Sequence, residues 1–235
     1  MKPFSGSIWR VVETQEIAAT RSITSSAAEQ SRLESLLESS KPKLPIDCQG
    51  LDYLLASPFR YPPLDYGSRF GTASQRGVFY GSRDRRTAFA ESAVYLWLFR
   101  AGPITTGPLE QIRGERTLFS VRVESAKALD LGDELFAPSR PALVDPASWA
   151  RSQQLGTAAR AADVEVILYP SARIVEGSNA ALFAPAAFAD RRPRCMEHWQ
   201  MHLNGERCWF GQRSAAYEFR RLDFERDGDI PHPGL

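Results

Sequence analysis

The chain has 235 residues, of which 43% are hydrophobic and 24% charged, with a formal net charge of +1 at pH 7. That length buries one good core and the composition is that of an ordinary globular protein, which excludes disordered and fibrous classes and predicts a single catalytic unit. The near-neutral charge gives no global attraction to nucleic acid or membrane surfaces, no apolar run is long enough to span a bilayer, and the start lacks a secretory hydrophobic segment, so a cytoplasmic location is expected.

Ile8-Trp9-Arg10-Val11-Val12 reads as a short first strand, with β-branched residues around an aromatic. Arg10 is a candidate for facing a site, and a surface strand arginine fits the same residues. Ser26-Ala27-Ala28-Glu29 has capping-box spacing, and Leu33, Leu36 and Leu37 follow at helical intervals until Lys41-Pro42, so one amphipathic helix is expected. Its Glu29, Glu34 and Glu38 read as a solvated face. Lys41 to Gln49 is a connector, and Leu51 to Ala56 a short helix or strand.

The stretch from Phe59 to Glu91 gathers guanidiniums, phenols and a carboxylate around glycines. Arg60 and Tyr61 precede Pro62-Pro63, which excludes a helix there. In Gly67-Ser68-Arg69-Phe70-Gly71 the glycines allow a tight turn or a close approach to a ligand, and a guanidinium projecting from such a loop suits a phosphate. Val78-Phe79-Tyr80 reads as a strand, and Asp84 as the N-cap of a helix. In that helix Ala88, Glu91, Tyr95 and Phe99 fall at steps of three, four and four, which puts Glu91 on a partly apolar face. A carboxylate there needs either a partner, such as a structural arginine, or a task, such as facing a developing positive charge.

Further on, Gly102-Pro103 and Gly107-Pro108 mark turns before a strand at Thr117 to Val123 with one buried face. Asp145-Pro146 opens a helix through Trp149 toward Ala162, whose middle Gly156 weakens, and Glu165 to Tyr169 is a strand that ends at Ser171. The aromatic-rich segment after Ala184 predicts two more strands, and Arg226 to Leu235 a frayed tail. Cys48, Cys195 and Cys208 are odd in number and too few for a disulfide framework, so free thiols are expected. Cys195, His198, His202 and Cys208 lack the paired-cysteine spacing of structural zinc sites, and no metal is expected. Dinucleotide-binding, P-loop, nucleophile-elbow and zinc-protease signatures are all missing.

From about Arg60 to Phe183 the chain resembles the RES domain family. Arg69 in GSRF, Tyr80 in VFYGS, Glu91 in AFAES and Ser171 in LYPSAR carry the likeness, with Asn179 in SNAALF and, more weakly, Arg10 after its aromatic. The resemblance implies an α+β fold with an ADP-ribosyltransferase-like split β-sheet and flanking helices. It divides the chain into an extension at 1–58 packed on the core, a catalytic domain at 59–225 and a tail at 226–235. It also implies NAD as substrate, a toxin that stops growth, and a cognate antitoxin covering the active site.

On this reading Glu91, Arg69 and Tyr80 are the catalytic candidates. Arg60, Tyr61, Arg69, Tyr80, Ser171, Arg10 and Asn179 are the candidates for binding NAD. Arginines would grip the pyrophosphate, a tyrosine would hold the cationic nicotinamide ring, and Glu91 would face the charge that builds on the ribose. ADP-ribose would pass to an acceptor such as a protein, with water or phosphate as alternatives. A non-catalytic module that binds a nucleotide or a protein is the competing reading.

Overall fold

Strands and helices alternate along the chain in a computed structural model that describes residues 1–14, 23–101 and 111–233. Strand β1 (Lys2–Glu13) is followed by helices α1 (Ala27–Ser40) and α2 (Tyr53–Arg60), strand β2 (Phe79–Ser82), helix α3 (Arg85–Ala101) and strand β3 (Ile112–Asp130). Helices α4 (Arg140–Leu143) and α5 (Ala150–Ala161) come next, then strands β4 (Val166–Pro170) and β5 (Ser178–Leu182). A meander of β6 (Met196–Leu203), β7 (Arg207–Gln212) and β8 (Ala215–Arg220) completes the sheet.

β3 organises this α+β fold. One of its edges pairs antiparallel with β1 from Arg116 to Ala128. The other pairs antiparallel with β6 over Ile112 to Phe119 and then, farther along, parallel with β4 at Ala128 to Asp130. β4 continues through β5 to β2, and β2 returns to β1 at Trp9 and Ser82. Five strands thus close a ring, and β6, β7 and β8 extend away from it. The split sheet takes this form because β3 is long enough to serve two sets of partners.

Each strand of the ring contributes to one apolar cluster, with Ile8, Phe79, Phe119, Val121, Val166, Leu168, Ala180 and Leu182 among its buried members. A second cluster lies between α3 and the meander. A third gathers Phe70, Leu143, Ala159, Ile167 and Tyr169 beneath α5.

Several expectations need correction. The strand expected at Thr117 to Val123 is buried on both faces from Thr117 to Val121, because β3 runs between the first two clusters. The first 58 residues are no addition packed on a core, since β1 is a strand of the ring itself. Residues after Ala184 form three strands where two were expected. The tail is not frayed over its described length, as Ile230 and His232 are buried.

α1 starts as predicted, with Ser26 Oγ accepting from the Glu29 amide at 3.1 Å, yet none of its residues is buried and Leu36 and Leu37 are exposed. The Leu51 to Ala56 segment resolves as α2, capped by Asp52 at the Leu54 amide. The helix expected from Asp145 begins only at Ala150, because the Asp145 carboxylate instead accepts from the Ala147 amide in a turn. The Gly102-Pro103 and Gly107-Pro108 turns lie outside the described residues. Among the described residues no helix is long and apolar enough to cross a membrane.

Candidate active site

The local sequence around Glu91 explains its placement. Asp84 caps α3, its carboxylate accepting from the Thr87 amide at 2.8 Å and the Thr87 hydroxyl at 2.6 Å, so the helix starts directly after β2. Helical periodicity then puts Phe89, Ala93 and Trp97 on the face toward the meander and Ala88, Glu91 and Tyr95 along a cleft. The cleft encloses about 390 Å³, the size of a small-molecule site.

One oxygen of Glu91 is fully engaged by neutral donors. Ser171 Oγ donates to Glu91 Oε1 at 2.8 Å, and Asn179 Nδ2 donates to the same oxygen at 2.7 Å. Asn179 is itself fixed by Ser82 Oγ, which donates to its Oδ1 at 2.6 Å, and both Ser82 and Asn179 are buried. Ser171 Oγ accepts from the amides of Arg173 and Ile174 at 3.0 and 3.2 Å. With its proton given to Glu91 and its oxygen capped by two amides, Ser171 is a positioning group and has no free lone pair to act as a nucleophile. Among the described residues Glu91 forms no ion pair and its Oε2 has no hydrogen-bond partner, so the structural arginine–glutamate pair is excluded.

The Arg69 loop is built on the other side. Ser68 and Gly71 exchange backbone hydrogen bonds at 2.7 and 3.2 Å, and Gly67 takes φ +74° to enter the turn. Tyr80 fixes this turn: its hydroxyl accepts from the Phe70 amide and donates to Ser68 Oγ, each at 2.9 Å. Burial raises the pKa of that phenol, which keeps it a neutral donor. Arg69 Nη1 donates to the carbonyl of Asp145 at 2.9 Å, which anchors the guanidinium at the cleft. α5 supports the loop from behind. Gln153 Nε2 donates to the carbonyls of Tyr66 and Ser68 at 3.0 and 3.1 Å, and a Cβ on Gly156 would lie 2.2 Å from the Phe70 carbonyl oxygen. Gly156 is therefore a contact point between helix and loop, a different role from the weak helix position expected.

Arg10 also lines the cleft. Its guanidinium sits 4.7 Å from the centroid of the Phe79 ring, and its Nη1 is buried without a hydrogen-bond partner among the described residues, so the surface-arginine alternative is excluded. Burial lowers its pKa to about 10, which leaves it charged at neutral pH.

Arg60 and Tyr61 are not brought to the cleft. Arg60 ends α2, where it donates to Glu38 at 2.9 Å and to the Pro42 carbonyl at 2.6 Å, and Tyr61 caps the helix with its ring exposed. The Pro-Pro pair holds Tyr61 extended, but Arg60, where no helix was expected, is the last residue of α2 and its side chain reaches Glu38 of α1. Cys195, His198, His202 and Cys208 do not converge, and no group of three metal-ligating side chains occurs among the described residues. The three cysteines are free thiols.

Sequence reasoning missed Arg173, Tyr95, Tyr169 and Trp149 as lining residues. Arg173 lies two positions after Ser171, and that proximity was the available signal. Its pKa is lowered by burial, which the nearby Glu91 carboxylate opposes. The remaining feature of the mouth is the C-terminal segment: Arg173 Nη2 donates to the Pro231 carbonyl at 2.9 Å, and the His232 ring packs on Trp149.

A comparison with curated proteins returned no match. Among solved structures the chain is similar to the M. tuberculosis MbcT–MbcA toxin–antitoxin complex, with 13% identity, a TM-score of 0.49, and coverage of 84% of this chain and 85% of that chain. The RES domain family matches residues 44–204, a span that holds Arg69, Tyr80, Glu91, Ser171 and Asn179 and omits β1, β7 and β8. With most of its length inside that match, the chain belongs to the RES domain family.

Proposed function

We propose that the cleft cleaves NAD at the nicotinamide–ribose bond and that the chain acts as a growth-inhibiting toxin, held in check by a cognate antitoxin that covers the cleft. The observation that carries this reading is the state of Glu91: one oxygen is pinned by Ser171 and Asn179, and the other has no partner among the described residues. A carboxylate oriented by neutral donors keeps its full negative charge for a ligand, which an ion-paired one does not. Family membership supports the same activity.

In this mechanism the bond from the nicotinamide nitrogen to ribose C1′ breaks, and its electron pair leaves with the ring, which becomes neutral. The positive charge passes to the sugar, where Glu91 faces it. Arg69 has its Nη1 committed to Asp145 and presents the rest of its guanidinium to the pyrophosphate, with Arg173 and Arg10 as further cations on the cleft wall. Tyr80 serves as a positioning residue that shapes the Arg69 loop, while its ring forms part of the wall. The acceptor then adds to C1′ and releases a proton, for which Glu91 is the nearest base by role. A protein side chain is the proposed acceptor, with water or phosphate as the alternatives, and the cytoplasm supplies NAD.

The test is incubation of the protein with NAD alone, with added phosphate, and with cell extract and labelled NAD, following nicotinamide release and label transfer. Nicotinamide release is expected in at least one arm, and the arm identifies the acceptor. No release in any arm would leave a nucleotide- or protein-binding module and overturn the enzyme reading.

A further inference from the structure

The C-terminal segment packs against the cleft wall, where Pro231 meets Arg173 and His232 meets Trp149. The His232 imidazole lies among three aromatic rings, at 5.4 Å from Tyr66, 5.8 Å from Tyr95 and 5.0 Å from Trp149, with interplanar angles of 87°, 79° and 78°. Tyr95 and Trp149 line the cleft, and Tyr95 follows Glu91 by one helical turn on the same face. Each of these rings meets the imidazole edge-to-face, so His232 sits in an aromatic box, two of whose rings also line the cleft.

Two further observations point to another occupant. Trp149 is buried, yet its Nε1 donor has no hydrogen-bond partner among the described residues. A buried donor left unpaired is costly, and a heteroaromatic ring bearing an acceptor atom would satisfy it. The segment also reaches the cleft through a tight turn. Arg226 and Asp229 exchange backbone hydrogen bonds at 2.8 and 3.1 Å around Asp227 and Gly228, both at positive φ, and a Cβ on Gly228 would meet nothing within 4 Å. Beyond this turn the hold on the cleft includes the buried Ile230, the Arg173 hydrogen bond to Pro231 and the contacts of the imidazole.

We infer that Tyr66, Tyr95 and Trp149 form a subsite for a planar heteroaromatic ring of the nucleotide substrate, and that the chain's own His232 occupies this subsite until substrate displaces it. The inference rests on the proposed nucleotide chemistry of the cleft. The charges around the imidazole agree with it: burial, then Arg173 and Arg69, lower the His232 pKa, so the ring docks neutral beside the cations assigned to the pyrophosphate, with Tyr66 and Tyr95 as the other titratable neighbours. A nucleotide brings its own negative charge to those cations and gains where the imidazole does not.

Two substitutions test the competition. His232→Ala empties the box and is expected to lower KM for NAD several-fold. His232→Phe fills it better and is expected to raise KM several-fold, with kcat held in both. A purely structural role for the tail moves the two variants in the same direction and overturns the inference. Inhibition by ADP-ribose and by nicotinamide mononucleotide identifies the ring, since the compound that enters the box gains potency in His232→Ala; no gain for either would overturn the subsite. Acrylamide quenching of Trp149 fluorescence, isolated by difference against Trp149→Phe, judges the plug without NAD turnover. It should rise in His232→Ala, and unchanged quenching would overturn the plug even in an active enzyme. A rise in quenching from a protein that never cleaves NAD would uphold the plug and remove only the proposed activity.

Discussion

Helix α3 faces two kinds of interior, and the contrast separates what holds the protein together from what works on a ligand. Toward the meander it presents Phe89, Ala90, Ala93, Val94 and Trp97, all buried, with the Phe89 ring 4.7 Å from those of Trp199 and Phe210 and 4.9 Å from that of Tyr217. The indole nitrogen of Trp97 is satisfied by the Asn204 carbonyl at 2.9 Å. Toward the cleft it presents Glu91, whose surroundings hold a carboxylate oxygen, a buried indole donor at Trp149 and a guanidinium nitrogen at Arg10 that have no hydrogen-bond partner among the described residues. One face is closed by aromatic packing. The other carries polar groups whose full satisfaction would need a ligand, at a cost in stability that the first face offsets.

The largest effect expected from breaking this contrast is on the packed face. Phe89→Ala should cost about 3–5 kcal/mol in chemical denaturation, because the cavity opens among three rings that cannot collapse together. Activity per folded molecule should survive. Loss of activity at full folding would mean that the two faces are not independent.

Glu91→Gln addresses the opposite face. Glutamine Oε1 still accepts from Ser171 and Asn179, so denaturation should be nearly unchanged while kcat for NAD cleavage falls by roughly 10²–10³-fold, the scale of losing one preorganised electrostatic group. A variant that kept turnover and lost stability would make Glu91 part of the scaffold.

Gly156→Ala sits between these extremes. Its methyl group would press on the Phe70 carbonyl, next to Arg69, so a loss of about 1–3 kcal/mol is expected together with weaker NAD binding. Unchanged affinity in a destabilised variant would show that the Arg69 loop is held by Tyr80 and Gln153 alone. The smallest effect should come from Arg60→Ala, which removes a part-exposed pair with Glu38 and should shift stability by less than about 1 kcal/mol with no change in KM for NAD.

Sequence made the site more legible than the fold. Local glycines, a strand and a cap marked Arg69, Tyr80 and Glu91 as cleft candidates, while Ser171 and Asn179 were marked only by the resemblance to the RES domain family. Arg60 misled for the same reason in reverse: its neighbouring prolines stop a helix, and the direction of a last helical turn depends on Glu38, far away in the chain. The double burial of β3, the place of β1 in the ring and the docked tail are decided by partners distant in sequence, which periodicity within a segment does not encode. Gly156 shows the limit most clearly, since a residue read as a helix defect is the point where α5 and the Arg69 loop touch.

The ring of strands has a consequence for synthesis on the ribosome. Trp9 and Arg10 leave the exit tunnel early, but their strand finds its partner only when β3 has emerged, and the ring waits further for β4 and β5. Such distant pairings form slowly and late. Glu91 likewise lacks the groups that orient it until Ser171 and Asn179 have been translated. If the cleft has the proposed activity, a nascent chain is inert through most of its elongation, and a truncated product that ends before β5 should cleave no NAD.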